Sequence, residues 1–152
     1  MTPSISRRAL AGTALGAGAA GVATTAQTTG ASLGARSHFY ARPQFRDALA
    51  HCLTSILGCT QTILPVPGFP EPILAFSFPG GGSVSVEFTP DALDEIQMRR
   101  GAWLEVRSED PKGLQAAILA AGLVQIHYPA TRIFYFAVPG GQVFSIVAAP
   151  KT

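Results

Sequence analysis

The sequence has few charged residues, and those it has nearly cancel. Asp and Glu number 9 and Lys and Arg number 11, so the formal charge of the 152-residue chain is only +2. Arg7 and Arg8 near the N-terminus account for that excess, and the remainder of the chain is neutral. Nucleic-acid binding is expected to need a clustered basic surface, so this balance argues against a nucleic-acid partner.

Common catalytic motifs are also missing. No GxSxG, Walker A, strand-to-helix GxGxxG or HExxH pattern occurs, so hydrolase, nucleotide-binding and zincin functions lack support. The three glycines at 80–82 lie between two strand patterns, which indicates a hairpin rather than a phosphate-binding loop. The sequence therefore offers no nucleophile with an adjacent base.

Cysteine is scarce, and the two cysteines do not indicate a zinc site. Cys52 and Cys59 lack CxxC spacing. Cys52 lies in a helical pattern and Cys59 just past its end, so a rise of about 1.5 Å per residue separates them by about 10 Å. That distance is too long for a disulfide, and both residues are predicted to be buried thiols.

The first 35 residues are predicted to be a leader. SISRRALAGTALGAGAAGVATTA (4–26) has a twin arginine, a mildly apolar stretch and small residues suited to a signal peptidase, and it resembles a twin-arginine export leader. The apolar stretch is too short and too rich in glycine for a stable membrane span. We therefore predict an exported protein, periplasmic or extracellular. The alternative is a misassigned start codon ahead of a cytoplasmic protein.

From position 36 onward, the pattern predicts a strand, a helix and three more strands. SHFYA (37–41) is a short strand, and Pro43 opens a helix whose apolar residues recur at spacings of three and four until Gly58 ends it. TQTIL (60–64) is the next strand. PILAFSF and SVSVEF then form a hairpin over a Pro-Gly-Gly-Gly turn.

The second half repeats this order. After a short linking helix expected to begin at Thr89 and Pro90, GAWLEVR is a strand, and a helix opens at Asp110-Pro111 and closes at Gly122. LVQIHY, IFYFAV and QVFSIV complete the copy, the last two joined by a second Pro-Gly-Gly bend. The repeat predicts one α+β domain over 36–152, in which two βαβββ modules (37–88 and 102–148) pair into a curved mixed sheet around a cleft.

The run SEDPKGLQAAILAAG followed by FYFAVPGGQVFSIV resembles the vicinal oxygen chelate superfamily, which includes glyoxalase, bleomycin-resistance and extradiol dioxygenase proteins. The resemblance covers residues 37–148. It implies a cleft in which many members chelate a divalent metal and polarise vicinal oxygens of a substrate, whereas several members bind ligands without a metal. It also implies that a homodimer can build the cleft between chains.

The resemblance further implies metal ligands on the first and last strands of each module. Counting back from the two helix-ending glycines places His38 and Trp103 at the first-strand positions, and the last strands offer Glu87 and Ser145. Tryptophan cannot ligate a metal, but Glu105 lies on the same strand face as Trp103 and can supply a third ligand. The predicted set for zinc, nickel, iron or manganese is therefore His38, Glu87 and Glu105. The structural alternatives are a histidine at a strand edge, a solvated glutamate and a surface ion pair.

The residues that replace the expected ligands suggest a binding cleft instead. Trp103, Tyr135 and Tyr40, together with Ser145, are predicted to form an aromatic-lined pocket with a few polar groups. The alternative is that these aromatic residues pack in the core.

The leading functional hypothesis is a glyoxalase-like protein that binds a small molecule and has a metal-free or degenerate metal site. The alternative is a metal-dependent lyase, isomerase or dioxygenase that uses His38, Glu87 and Glu105. A scaffold without a ligand is the third possibility. The other histidines, His51 and His127, have no partner that the sequence reveals and are not expected to be catalytic. No membrane span is expected once the leader is removed.

Overall fold

The computed structural model describes residues 35–150, so the predicted leader lies outside the described residues except for Ala35. Within that range, eight strands and three α-helices follow the predicted order. Their bounds are β1 (Arg36–Ala41), α1 (Arg46–His51), β2 (Thr60–Leu64), β3 (Ile73–Ser77), β4 (Ser83–Phe88), α2 (Glu95–Met98), β5 (Trp103–Ser108), α3 (Pro111–Ala120), β6 (Val124–Ile126), β7 (Phe134–Ala137) and β8 (Val143–Ala148).

The strands form two four-stranded mixed sheets with the same topology. The strand order is β1-β4-β3-β2 in the first sheet and β5-β8-β7-β6 in the second. In both sheets the first strand pairs in parallel with the last strand of its module, and the other pairs are antiparallel. The predicted duplication of a βαβββ module is therefore confirmed.

A single hydrophobic core joins the two modules. On β1, Phe39 and Ala41 point into this core, and the alternate residues of the strand are exposed. The core also includes residues from the helices and from the second sheet, among them Leu49, Ile118 and Phe144. The opposite face of each sheet carries both polar and aromatic side chains.

The two glycine-rich bends share their hydrogen bonds but not their backbone conformation. In each bend the residue before the proline, Phe78 or Val138, accepts a bond from the N–H three residues on and donates to the carbonyl four residues on. Left-handed backbone falls on Gly81 and Gly82 in the first bend and one position earlier in the second. The second bend has Gln142 at its fourth position, and a side chain there disfavours positive φ.

The first helical segment has the predicted extent but not a uniform hydrogen-bonding pattern. A 3-10 turn (Pro43–Phe45) precedes α1, and a π-helical segment (Cys52–Ile56) follows it. Gly58, with φ of 71°, ends the segment in the left-handed conformation that was predicted. The segment is four residues longer than α3.

The prediction that the linking helix begins at Thr89 was wrong. The carbonyl of Thr89 instead accepts the N–H of Ala92 in a turn, and the helix begins after Asp94. The Asp94 carboxylate accepts the backbone N–H of Gln97 at 2.8 Å, and the Gln97 side-chain oxygen accepts the N–H of Asp94 at 3.0 Å. This capping box fixes the start of α2 five residues later than expected.

Candidate functional site

His38 projects from β1 on the sheet face opposite the core. Its Nδ1 lies 2.9 Å from the Ser85 hydroxyl oxygen, and its Nε2 lies 3.9 Å from a carboxylate oxygen of Glu87. The imidazole also packs edge-on against the ring of Tyr40, with 5.0 Å between ring centroids. Ser85 and Glu87 are on the neighbouring strand β4, whose parallel register with β1 places them on the same face as His38.

The structure brings together two of the three predicted metal ligands. His38 and Glu87 are adjacent, and imidazole and carboxylate are suitable donors for a divalent metal. Glu105 instead accepts a bond of 3.0 Å from Nε of Arg107. Among residues 35–150, no three His, Cys, Asp or Glu side chains are grouped as a metal site would require. The donor chemistry therefore fits a metal, but the number of donors grouped among residues 35–150 does not.

Strand register corrects the equivalence between the two modules. His38 pairs with Ser85 in the first sheet, and Glu105 pairs with Ser145 in the second. The residue equivalent to His38 is therefore Glu105, and the count that selected Trp103 was wrong by two positions. Counting back from the terminal glycines failed because the first helical segment is longer and because the connections between strand and helix differ in length.

The predicted aromatic cleft residues lie on two different sheets. Trp103 packs edge-on against Tyr135 with ring centroids 5.6 Å apart, and Tyr128 packs against the other side of Tyr135 at 4.7 Å. Tyr135 and Ser145 are buried in this second sheet, whereas Tyr40 is exposed on the first. Sequence reasoning identified Trp103 and Tyr135 as neighbours but wrongly placed Tyr40 with them.

A cleft of about 510 Å³ lies beside β1, between this strand and the segment that links the modules. Of the seven residues predicted to contact a ligand or a metal, His38 and Tyr40 line the cleft, whereas Glu87, Trp103, Glu105, Tyr135 and Ser145 do not. The remaining wall was not predicted and comes from one further residue of β1, from the linker and from the second bend. It consists of Phe39, Thr89, Asp91, Ala92, Leu93, Met98, Gly101, Ala102 and Gln142.

The linker is held against both modules by side-chain hydrogen bonds to its backbone. Arg42 of the first module donates from Nε to the carbonyl of Ala92 at 3.0 Å. Gln142 of the second module donates from Nε2 to the carbonyl of Ala102 at 2.8 Å. In the second bend Gln142 occupies the position that Gly82 occupies in the first. This difference between the two copies is the feature of the sequence that could have indicated a role for Gln142.

The cysteine thiols are unsuited to nucleophilic chemistry. Burial raises the pKa of Cys59 to about 11. Burial, and secondarily the nearby Cys59, raises the pKa of Cys52 to about 12. Both residues are free and belong to the core, as predicted, so they remain protonated near neutral pH. His51 contacts the Ser55 hydroxyl on the exposed side of the first helix and takes no part in the cleft.

Solved structures with this architecture are numerous. The chain is similar to a FosX fosfomycin resistance protein from Listeria monocytogenes complexed with Mn(II) and sulfate, with 17% identity, a TM-score of 0.57 and coverage of 80% of this chain and 93% of the other. It is also similar to a glyoxylase/bleomycin resistance protein/dioxygenase domain from Frankia sp. EAN1pec, with 17% identity, a TM-score of 0.58 and coverage of 80% and 95%.

A third similar structure is TnmS3, an antibiotic binding protein from Streptomyces sp. CB03234, with 16% identity, a TM-score of 0.54 and coverage of 74% and 93%. The chain matches no protein-family model and no curated protein. The structural matches show that this chain has the fold shared by these FosX, glyoxylase/bleomycin resistance and antibiotic binding proteins. Within residues 35–150, no helix is long and apolar enough to cross a membrane.

Proposed function

We propose that this protein binds a small molecule in the cleft beside β1 and does so without a resident metal. The observation that carries the proposal is the cleft itself. Its volume of about 510 Å³ lies within the range of small-molecule sites, and its lining is mainly apolar with a few polar groups. The TnmS3 structure supports the proposal because that antibiotic binding protein has a similar fold.

The donor set near the cleft favours binding over metal chemistry. His38 and Glu87 provide two ligands, and two protein ligands hold a divalent ion weakly. Glu105 is engaged by Arg107 on the other sheet. The described residues of one chain therefore do not support a metal-dependent catalytic step.

A metal-dependent lyase, isomerase or dioxygenase is the second candidate. The supporting observation is the pair of exposed His38 and half-buried Glu87, together with a fold similar to that of FosX, which was crystallised with Mn(II). This function requires a third ligand from outside the chain, such as Glu105 of a second copy in a homodimer. The bound metal would act as a Lewis acid toward oxygens of the substrate.

Metal analysis separates the two candidates. The full chain is purified without chelator, its metal content is measured by mass spectrometry, and its oligomeric state is measured by light scattering. We expect well under one zinc, nickel, iron or manganese ion per chain. Stoichiometric metal that is lost in His38→Ala and retained in the control His51→Ala contradicts the metal-free proposal and supports the enzyme.

Ligand binding tests the proposal directly. We expect 2-naphthylmethanol, an apolar aromatic probe, to bind the full chain in isothermal titration calorimetry. Tyr40→Ala is expected to weaken binding about fivefold or more, because the tyrosine ring forms one wall. Ile63→Ala changes an exposed residue of β2 outside the cleft and serves as the control. Absence of binding, or equal binding by the two variants, contradicts this site.

We also propose that residues 1–35 direct export by a twin-arginine route. Replacing both arginines of the pair with lysine in the full-length chain is expected to leave the protein in the cytoplasm of a host with that pathway. The mass of the wild-type protein recovered from the periplasm or medium gives the cleavage site. Wild-type protein confined to the cytoplasm at full length contradicts the proposal.

A further inference from the structure

We infer that the ligand of this cleft carries a positively charged hydrogen-bond donor on an apolar aromatic body. The inference rests on the proposed binding function and specifies its ligand class. Among the described residues that line the cleft, Asp91 is the one with a formal charge at pH 7, and the lining includes neither lysine nor arginine. Asp91 is therefore the one carboxylate among the described residues of the lining.

The Asp91 carboxylate makes no direct ion pair with a base among the described residues. Within residues 35–150, no ion pair of 4.0 Å or less involves Asp91. Arg42 is close in the fold, but its Nε donates to the carbonyl of Ala92. The backbone N–H of Asp91 is oriented toward the Thr89 hydroxyl, at 3.4 Å. Asp91 is an exposed residue of the lining, so its carboxylate is accessible to a cation, and the attraction is expected to weaken as the ionic strength rises.

Gln142 supplies a second hydrogen-bond acceptor. Its side chain is buried, and Nε2 donates to the carbonyl oxygens of Ala102 at 2.8 Å and Val143 at 3.1 Å. These two acceptors fix the orientation of the amide, because the opposite orientation would set oxygen against oxygen. The group that Gln142 has left for a ligand is therefore Oε1, which accepts hydrogen bonds and cannot donate them.

The wall of the cleft suits the aromatic part of such a ligand. Tyr40 has 48% of its surface exposed, and Leu93 has 52% exposed. The Tyr40 ring is held from one side by its edge-on contact with His38. A flat apolar ligand can cover these side chains, and an attached ammonium group gains from both the aromatic ring and the acceptors. An anionic ligand would instead face a carboxylate and an amide oxygen.

Three probes with the same ring system and different charge test the inference. They are 2-naphthylmethylamine, which is protonated at pH 7, the neutral 2-naphthylmethanol and the anionic 2-naphthoate. Their affinities for the full chain are measured by isothermal titration calorimetry at low ionic strength. We expect the amine to bind about tenfold more tightly than the carboxylate, with the alcohol between them.

Substitutions in the cleft test which residues cause the preference for a positively charged ligand. Asp91→Asn is expected to reduce the affinity for the amine about fivefold, toward that of the alcohol, and to leave binding of the alcohol unchanged. Asp47→Asn, which removes an equal charge from an exposed position outside the cleft, is the matched control and is expected to have no effect. Gln142→Met is expected to weaken both the amine and the alcohol, with folding checked by thermal denaturation.

The outcomes distinguish the inference from the proposed function. If the alcohol binds and the amine binds no more tightly, or if Asp91→Asn has no effect, the charge preference is wrong and the binding function stands. Tighter binding of the carboxylate overturns the preference outright. If none of the three probes binds, both the inference and the proposed cleft are wrong.

Discussion

His38 on β1 and Glu105 on β5 occupy equivalent positions in the two modules, and each lies opposite a serine on the adjacent parallel strand. His38 lies within hydrogen-bond distance of its serine, Ser85. Glu105 turns to Arg107, and the fully buried hydroxyl of Ser145 has no partner among the described residues. The two modules thus share the position but differ in its polar contact, which is present in the first and absent from the second.

This difference predicts opposite effects of the same substitution in the two modules. Ser85→Ala removes a hydrogen bond and is expected to lower the free energy of unfolding by about 1 kcal/mol. Ser145→Ala removes an unsatisfied buried hydroxyl and is expected to leave stability unchanged or to raise it by up to about 1 kcal/mol. Urea denaturation of the two variants measures both values. A large loss of stability in Ser145→Ala would show that its hydroxyl has a partner.

The two bends predict unequal tolerance of alanine. A Cβ added at Gly141 would lie 2.6 Å from Cα and 2.7 Å from the carbonyl oxygen of Glu95, and the residue has φ of 92°. Gly81 has a similar φ of 95°, but a Cβ there meets nothing within 4 Å. Gly81→Ala is therefore expected to cost about 1–2 kcal/mol from backbone strain alone.

Gly141→Ala is expected to lower the free energy of unfolding by more, about 3 kcal/mol or above. The added Cβ would clash with the backbone of α2 in addition to straining its own backbone. Thermal and urea denaturation provide the comparison, and Gly81→Ala is the matched control for backbone conformation. Equal losses in the two variants would contradict the close packing of the second bend against α2.

The raised thiol pKa values predict a loss of stability at alkaline pH. Cys52 and Cys59 have folded-state pKa values of about 12 and about 11, above their ordinary value of 9.0. The unfolded chain therefore releases these protons first as the pH rises. The stability conferred by the protonated thiols is complete below about pH 8.5 and falls as the pH passes through the interval from about 9 to about 12.

Urea denaturation at pH 7.5 and pH 10 measures this loss, and the variant with both cysteines replaced by alanine is the control. We expect a smaller decrease between the two pH values in the double variant, although it begins less stable because of the cavities it creates. The native thiols are also expected to resist a disulfide reagent at pH 8 until the chain unfolds. Rapid labelling of the folded protein would contradict their burial.

Periodicity and turn residues predicted most of this fold because they act locally. Gly58 and Gly122 both adopt the left-handed conformation expected at a helix end, and the Pro-Gly-Gly bends identified the duplication. The residue correspondence between the modules failed because the first helical segment is four residues longer than α3. The prolines and glycines at the helix ends mark that difference in the sequence, but the count back from the glycines did not allow for it. The cleft was also beyond prediction, since Met98 and Gln142 reach it only through tertiary packing of the linker.

The capping box of α2 allows a test of whether the linker wall controls binding. Asp94→Ala removes the hydrogen bond that the carboxylate accepts from the backbone N–H of Gln97, and it is expected to lower the free energy of unfolding by about 1 kcal/mol. Asp110→Ala removes the equivalent cap of α3, a bond of 2.9 Å to the N–H of Gly113, and is expected to cost a similar amount. The two variants are therefore expected to have the same free energy of unfolding. They differ in which helix loses its N-terminal cap, α2 or α3.

Because α2 carries Met98 into the cleft and α3 contributes no residue to it, the two caps should differ in their effect on ligands. We expect Asp94→Ala to weaken binding of 2-naphthylmethanol about threefold, as the loosened wall must be reordered when the ligand binds. Asp110→Ala is expected to bind as the wild type does. Calorimetric titration at a temperature where both variants are fully folded measures the difference. Equal binding by the two variants would mean that the wall of the cleft is held by Arg42 and Gln142 alone, without help from the helix cap.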